Sequence, residues 1–286
     1  MQGRTDLALE QKEQHHSLPE GVNCEETKKG SAVITKIMIK NNLGAETLKK
    51  PIGTYTTIEV PPFTDNLNDE DLIKTASDAL GELVPKTGSA LIVGLGNREI
   101  TPDALGPKAV ARILATGHIG AELKRVANLN EIRDVFVLSP GVLGQTGIEV
   151  FNLLSALTNE IKPAFLIVID ALASRNLSRL GCTLQMSDSG IEPGSGVGNA
   201  RQEISQKTLG VPVIAVGVPT VVDAKTLVFD LTGKEEETIN PNGRQMIVTP
   251  REIDLLIDRA ASLISNCVNR ALHPNIDPNI IDELLA

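Results

Sequence analysis

Between residues 90 and 217 the chain contains four short runs of consecutive apolar residues, separated by segments with a helical pattern. Such runs are typical of strands buried on both faces, and strands that alternate with helices are typical of crossover connections in a parallel sheet. We therefore predict a three-layer α/β fold with a mainly parallel sheet. The predicted strands are residues 90–94, 135–139, 164–170 and 211–217, and the predicted helices are residues 104–116, 148–161 and 199–209.

The two ends of the chain have other patterns. Residues 1 to about 30 are polar without a sustained period, which indicates an arm. Residues 32–39 and 55–60 alternate apolar and polar side chains and predict strands of a small antiparallel attachment. A helical stripe over residues 69–84 leads into the main domain, and a capping box at Thr249 predicts the start of a long final helix.

The composition argues against several classes of protein. The chain has 27 Lys and Arg against 36 Asp and Glu, a net charge of −9, which opposes the phosphate-neutralising surface of a nucleic-acid binder. Its three widely spaced cysteines form no CxxC pair and favour a reducing, cytoplasmic setting. We expect no membrane partner, because there is neither a signal-peptide pattern nor a run of about eighteen apolar residues.

Two aspartates stand out at the predicted carboxyl edge of the sheet, where ligands of open α/β folds bind. Asp103 follows the first run, but Thr101 as a helix N-cap would also explain an acid in the first turn. Asp170 ends the third run, and a carboxylate there is costly to bury without a partner or a task. If both face one crevice, they could share a proton and activate water for hydrolysis.

A nucleotide site is a weaker interpretation of the glycine-rich segments. Gly94 and Gly96 follow a strand, but Glu99 stands where the dinucleotide fingerprint requires a third glycine. A second cluster, residues 190–198, lacks the Lys-Ser/Thr of a phosphate-binding loop and is interpreted as an ordered or mobile loop.

Metal binding and nucleophilic catalysis are two further kinds of chemistry that the residue types allow. The same acids could bind a metal, although catalytic zinc sites usually include histidines, and the four histidines lie outside the strand-end motifs. They are His15, His16, His118 and His273. No GxSxG elbow occurs, and neither Cys182 nor Ser195 has a histidine nearby in the sequence, so a covalent nucleophile is not favoured.

Five long motifs follow one another along the chain. They are GLGNREITPDALGP at 94–107, PGVLGQTGIE at 140–149, IDALASR at 169–175, QMSDSGIEPGSGVGN at 185–199 and GVPTVVDA at 217–224. In this order they closely resemble the germination protease of spore-forming bacteria. The resemblance extends from Arg4 to about Pro274.

The resemblance implies an endopeptidase of the atypical aspartic type that degrades small acid-soluble spore proteins in the spore core during germination, without a cofactor. The family's catalytic aspartates fall on Asp103 and Asp170. It also implies a homotetrameric zymogen that removes its own N-terminal segment, cutting between an acid and a hydrophobe followed by Ala. Asp6-Leu7-Ala8 matches that pattern and predicts cleavage between Asp6 and Leu7.

The same resemblance keeps a metal as the alternative, because the family shares its fold with hydrogenase maturation endopeptidases, which bind nickel through acids and a histidine. A metal-dependent peptidase would use the same acids for nickel or zinc. Supporting residues are expected in the strand-end motifs: Asn97, Ser139, Thr146, Ser174, Arg175 and Asp188. Arg98 or Arg175 could pair with a substrate's acidic residue, or with a local carboxylate instead.

These observations predict a pro-segment over residues 1–6, an arm over 7–30 and one protease domain over 31–286. Within that domain, residues 31–60 form the attachment and residues 90–286 the catalytic core. Two departures from the family are a shortened segment over 225–248 and Gly3, which stands where the cleavage preference places an acid.

Overall fold

A single mixed sheet runs through the protein. The structure, a computed structural model, describes residues 5–15, 17–65, 69–126, 131–198, 200–233 and 246–285. Within these residues the strands are β1 (Val22–Lys29), β2 (Ala32–Ile39), β3 (Gly53–Glu59), β4 (Ala90–Gly94), β5 (Val135–Leu138), β6 (Phe165–Ser174), β7 (Thr183–Ser187), β8 (Val213–Asp223) and β9 (Ile247–Val248). Their order is β1-β2-β3-β7-β8-β6-β4-β5, with β9 paired to β8.

The four predicted core strands are confirmed, and they are parallel neighbours. β4 pairs with β5 and with β6, and β6 pairs with β8, all in parallel. The predicted ends of two strands are wrong, because β6 continues to Ser174 and β8 to Asp223. The two strands remain paired beyond the end of β4, with a register shift between Leu172 and Ala173.

Helices cover both faces of the sheet and complete the three layers of an α/β fold, as predicted. They are α1 (Ala8–Lys12), α2 (Asn42–Leu48), α3 (Glu70–Leu83), α4 (Leu105–Val110), α5 (Ala121–Val126), α6 (Leu143–Thr146), α7 (Val150–Ile161), α8 (Gln206–Leu209), α9 (Ala224–Thr232), α10 (Ile253–Leu272) and α11 (Pro278–Leu285). Ile92 and Ile167 face the cluster that contains α3, α4 and α10, whereas Leu91 and Val168 face α7. None of these described helices is long and apolar enough to cross a membrane.

Three predicted helices have different bounds. The helix predicted over 104–116 ends at Val110, and the Asn269 side chain of α10 instead binds the backbone of Arg112 and Leu114. Within the described residues 200–209 of the helix predicted over 199–209, the only α-helix is α8. The final helix begins at Ile253, because the Thr249 hydroxyl donates to the carbonyl of Thr220 rather than capping the helix.

The predicted arm contains secondary structure that its sequence does not suggest. Its strand β1 pairs antiparallel with β2 at the edge of the sheet, and most of its side chains are exposed, so no apolar alternation is required. The helix α1 buries Ala8 and Leu9 against Ile37 and Tyr55. The strands of the attachment are antiparallel, as predicted, but β3 pairs with β7 and so extends the main sheet.

His273 ends α10 in an unusual environment for a histidine. It is buried, and neither ring nitrogen has a hydrogen-bond partner among the described residues. Burial, together with the charges of Arg133 and Lys124, lowers the pKa of His273 to about 4. The unfolded chain therefore binds a proton at this residue at a higher pH than the folded chain does.

We expect the free energy of unfolding to decrease by about 3 kcal/mol through His273 as the pH falls from about 6.5 to about 4, because only the unfolded state gains the proton in this window. His273→Leu should remove this part of the pH dependence. Urea unfolding at several pH values measures it, with exposed His118→Leu as the control. A His273→Leu protein that keeps the pH dependence of the unsubstituted protein would contradict the assignment.

Candidate active site

Asp170 lies in β6 at the point where the neighbouring strand β4 ends. The last residue of β4, Gly94, pairs with Ile169, and on the other side Asp170 pairs with Gly217 of β8. The carboxylate is therefore held at a gap in the sheet, 7% exposed, and its Oδ1 accepts the N–H of Ala171 at 2.9 Å. The prediction that Asp170 ends its strand is wrong, but it does lie where the pairing with β4 stops.

Asp103 ends a 3-10 turn, Thr101–Asp103, that follows β4. Its Oδ2 accepts a hydrogen bond from the N–H of Asn97 at 2.7 Å, so the carboxylate is tied to the preceding loop. Gly96 has a φ of +113°, and a Cβ there would lie 2.0 Å from the Asp103 carbonyl oxygen, so the loop requires glycine. The prediction of Thr101 as a helix cap is wrong, since Thr101 lies inside the turn.

Both aspartates line one cavity of about 610 Å³. Burial raises the pKa of Asp103, and the hydrogen bond from the N–H of Asn97, which lowers that pKa, does not cancel the effect. The pKa of Asp170 is raised well above its usual value by burial first, then by the negative charges of Asp103 and Asp6. Two carboxyl groups in these environments can divide their roles, because Asp170 holds a proton more readily than Asp103.

Asp6, from the N-terminal segment (residues 5–12), lines the same cavity. One oxygen of its carboxylate accepts the N–H of Ala173 at 2.9 Å, and the other accepts the hydroxyl of Ser195 at 2.9 Å. The N–H of Asp6 in turn donates to the carbonyl of Ala173 at 3.0 Å. The N-terminal segment thus binds the edge of β6 that β4 leaves free.

The peptide bond between Asp6 and Leu7 is held on its carbonyl side. The Asp6 carbonyl oxygen accepts hydrogen bonds from Lys50 Nζ at 2.9 Å and Gln185 Nε2 at 3.0 Å. Gln185 Oε1 also accepts the N–H of Ala8 at 2.8 Å, so one amide side chain spans this bond. Leu7 and Ala8 are fully buried. Burial lowers the pKa of Lys50, and the negative charge of Asp6, which raises that pKa, does not cancel the effect.

The N-terminal segment is anchored further along α1. The buried carboxylate of Glu10 accepts the backbone N–H groups of Arg175 and Asn176 at 2.7 and 2.9 Å. The Arg175 guanidinium donates to the Glu10 carbonyl, and Arg179 makes a bidentate pair with Glu13 at 2.7 and 2.6 Å. Arg175 therefore holds this segment and is not among the residues that line the cavity.

The remaining predicted supporting residues divide between the cavity and its surroundings. Asn97 lines the cavity, whereas Ser139, Thr146 and Asp188 are exposed outside its lining. Ser174 is buried outside the lining, and its hydroxyl has no hydrogen-bond partner among the described residues. Asp188 accepts the N–H of Thr54 at 2.6 Å, and the Thr146 hydroxyl bonds to its own loop, so these two side chains hold local structure. Arg98 is exposed.

Sequence patterns do not reveal the residues around Asp6. Lys50 has no sequence signal, and Gln185 stands out only as part of a motif. Ser195 and the adjoining Gly196 lie in the cluster over 190–198, whose composition predicts no more than a loop. The glycines of that cluster are the one signal available, and they match no phosphate-binding pattern.

A metal site needs several ligand side chains close together. The part of the chain that the structure describes contains no group of three or more His, Cys, Asp or Glu side chains placed to hold a metal ion. His118 is exposed and His273 ends α10, while His16 and residues 1–4 of the predicted pro-segment lie outside the described residues. A nickel or zinc peptidase is therefore not favoured.

Comparison with known proteins gives the family. The model of the family described as Germination protease matches residues 3–233 and 234–284. The chain belongs to the germination protease family. Its relatives named germination protease include one from Caldanaerobacter subterraneus, 42% identical over 99% of this chain and 98% of that protein. Others are from Clostridium tetani, 39% identical with full coverage of both chains, and Priestia megaterium, 33% identical over 96% and 94%.

A solved structure with some likeness is a NiFe hydrogenase maturation protease from Thermococcus kodakarensis KOD1. It is 16% identical to this germination protease family member, covers 68% of this chain and 98% of its own, and has a TM-score of 0.38. The family assignment establishes a peptidase that acts in germination, and it rests on the sequence relatives.

We expect Asp170→Asn to stabilise the protein at pH 7, by about 2 °C or more in Tm. The raised pKa of Asp170 means that folding opposes its ionisation, so its contribution to stability falls as the pH rises from about 4 through the folded pKa. The advantage of Asp170→Asn should therefore shrink towards pH 4. Thermal unfolding at both pH values tests this, with exposed Asp78→Asn as the control. A loss of stability at pH 7 would contradict it.

Proposed function

We propose that this protein is an aspartate-dyad endopeptidase that first removes its own residues 1–6, by cutting between Asp6 and Leu7, and then degrades small acid-soluble spore proteins in the spore core. One observation carries the proposal. Asp6 lines the same cavity as Asp103 and Asp170. Degradation of spore proteins and assembly as a homotetramer belong to the proposal through the family resemblance.

The proposed reaction divides the roles of the two carboxyl groups. Asp103, as the ionised member, takes a proton from water, and the water oxygen bonds to the carbonyl carbon of Asp6. Lys50 and Gln185, at 2.9 and 3.0 Å from the carbonyl oxygen, stabilise the negative charge that develops on it. Asp170 gives its proton to the nitrogen of Leu7 as the carbon–nitrogen bond breaks. The new α-carboxyl group of Asp6 then gives its remaining proton to Asp170, and Asp103 gives its proton to the amine of Leu7. The products are an α-carboxylate on Asp6 and an ammonium group on Leu7, and both aspartates return to their starting states.

We expect Asp103→Asn and Asp170→Asn each to slow removal of residues 1–6 by at least about 100-fold, because each removes one proton-transfer group. The mass of the full-length chain, followed over time at mildly acid pH, measures this reaction. Asp254→Asn, in an exposed carboxylate of α10 outside the cavity lining, is the control. Cleavage that is lost on exhaustive chelation and restored by nickel or zinc would overturn the dyad and favour a metal-dependent peptidase.

We expect Lys50→Met to slow the same cleavage by about 100-fold or more, since it removes one donor to the developing oxyanion. Lys49→Met is a matched control, because Lys49 is the exposed neighbour and makes no hydrogen bond to the Asp6 carbonyl. Gln185→Glu, which replaces the amide donor with an acceptor of nearly the same shape, should reproduce the loss. Equal cleavage rates for Lys50→Met and Lys49→Met would show that Lys50 does not stabilise the oxyanion in this reaction.

A further inference from the structure

The loop over 190–198 is folded against the cavity. Ile191 and Ile204 exchange backbone hydrogen bonds of 2.9 and 2.8 Å, which close the loop at its base. Gly194 and Gly198, each with a φ of +75°, flank a 3-10 turn over Ser195–Val197. Glycine adopts a positive φ without the steric cost that other residues incur, so Gly194 and Gly198 allow the chain to enter and leave this turn.

This turn and β6 together bind a carboxylate. Each oxygen of the Asp6 carboxylate has one donor at 2.9 Å, Ser195 Oγ for the first and the N–H of Ala173 for the second. The N–H of Ala173 is available because β4 has ended and the pairing of β6 with β8 shifts at this residue. Hydrogen bonds to an ionised acceptor are stronger than those between neutral groups, so the two donors select a carboxylate over an amide.

Gly196 limits the size of this site. A Cβ at Gly196 would lie 2.1 Å from Oδ2 of Asp6 and 2.8 Å from the Cβ of Ala173. Its φ is not in the left-handed region, so alanine fits the backbone there. Gly196→Ala therefore obstructs the carboxylate without imposing backbone strain.

We infer that Ser195, the N–H of Ala173 and Gly196 form the subsite that recognises the acidic residue before the cut, in protein substrates as well as in the N-terminal segment. This inference rests on the proposed function and names the residues that select its substrates. Both donors to the carboxylate are neutral, so its hydrogen bonds come from neither Arg98 nor Arg175, while the positive charge of Lys50 lies close enough to attract it. We call these three groups the acid subsite.

The acid subsite also accounts for inactivity of the uncut chain towards other substrates. In the uncut chain Asp6 already occupies the subsite, so the acid of another substrate cannot bind there until residues 1–6 have left. Burial of Leu7 and Ala8 and the contacts of Glu10 hold the Asp6 carboxylate in position.

The first test measures binding of the N-terminal segment without catalysis. In full-length Asp103→Asn protein, hydrogen exchange of residues 5–9 is followed by mass spectrometry. We expect Ser195→Ala and Gly196→Ala each to increase the exchange rate about tenfold or more, whereas Gly81→Ala, at an open position in α3, leaves it unchanged. In an Asp6→Ala background, where no carboxylate occupies the subsite, neither substitution should add to the exchange.

The second test measures selection by the self-processed enzyme. Two peptides differ only in Asp or Asn before the cut, and kcat/KM is measured for each. We expect the Gly81→Ala enzyme to prefer Asp by about tenfold or more, and Ser195→Ala to reduce that ratio severalfold through its effect on the Asp peptide.

The two proposals fail in different ways. Unsubstituted protein that cuts neither itself nor the peptides overturns the proposed function, whatever the exchange shows. Protein that cuts overturns the acid subsite alone if Ser195→Ala and Gly196→Ala match Gly81→Ala in exchange and Ser195→Ala also matches it in the Asp-to-Asn ratio. A tenfold effect that persists in the Asp6→Ala background would also overturn it, because the effect could not then act through the carboxylate.

Discussion

The burial of the Asp170 carboxylate at the end of β4 is the constraint on which the rest of the site depends. Because β4 stops at Gly94 while β6 and β8 continue, one edge of β6 is left without a strand beside it. Asp170 is the first residue beyond that point, and its carboxylate lies in a cavity rather than within the packed core. Asp170 thus lines the cavity, and its burial still opposes ionisation of its carboxyl group.

The free edge of β6 also explains why the N-terminal segment belongs to the site. Asp6 exchanges hydrogen bonds with Ala173, three residues after Asp170, and its carbonyl is directed to Lys50 and Gln185. A chain that occupies this edge brings a carboxylate close enough to Asp170 to raise its pKa further. In the proposed mechanism, the occupant that blocks the enzyme also favours the protonated state that the first cleavage requires.

Sequence patterns predict the parts of this structure that depend on apolar burial. The four core strands follow from runs of apolar residues, and α7 follows from a helical pattern between two of them. The position of Asp170 follows from the end of one such run. The strand β7 escapes prediction because its buried positions include Gln185, whose polar side chain binds the N-terminal segment, so the apolar pattern is absent. The role of Ser195 is not predictable, because it depends on residues about 190 positions apart in the chain meeting at one carboxylate.

The most direct measurement is a carbon-13 NMR titration of the aspartate carboxyl groups in the uncut chain, with Asp103→Asn and Asp6→Ala for comparison. The account predicts that Asp170 titrates well above the usual range of an aspartate, and that its pKa falls when either neighbouring charge is removed. If Asp170 titrates in the usual range and responds to neither substitution, the account is contradicted. Asp103 and Asp170 would then not share a proton, and the charge of Asp6 would not act on Asp170.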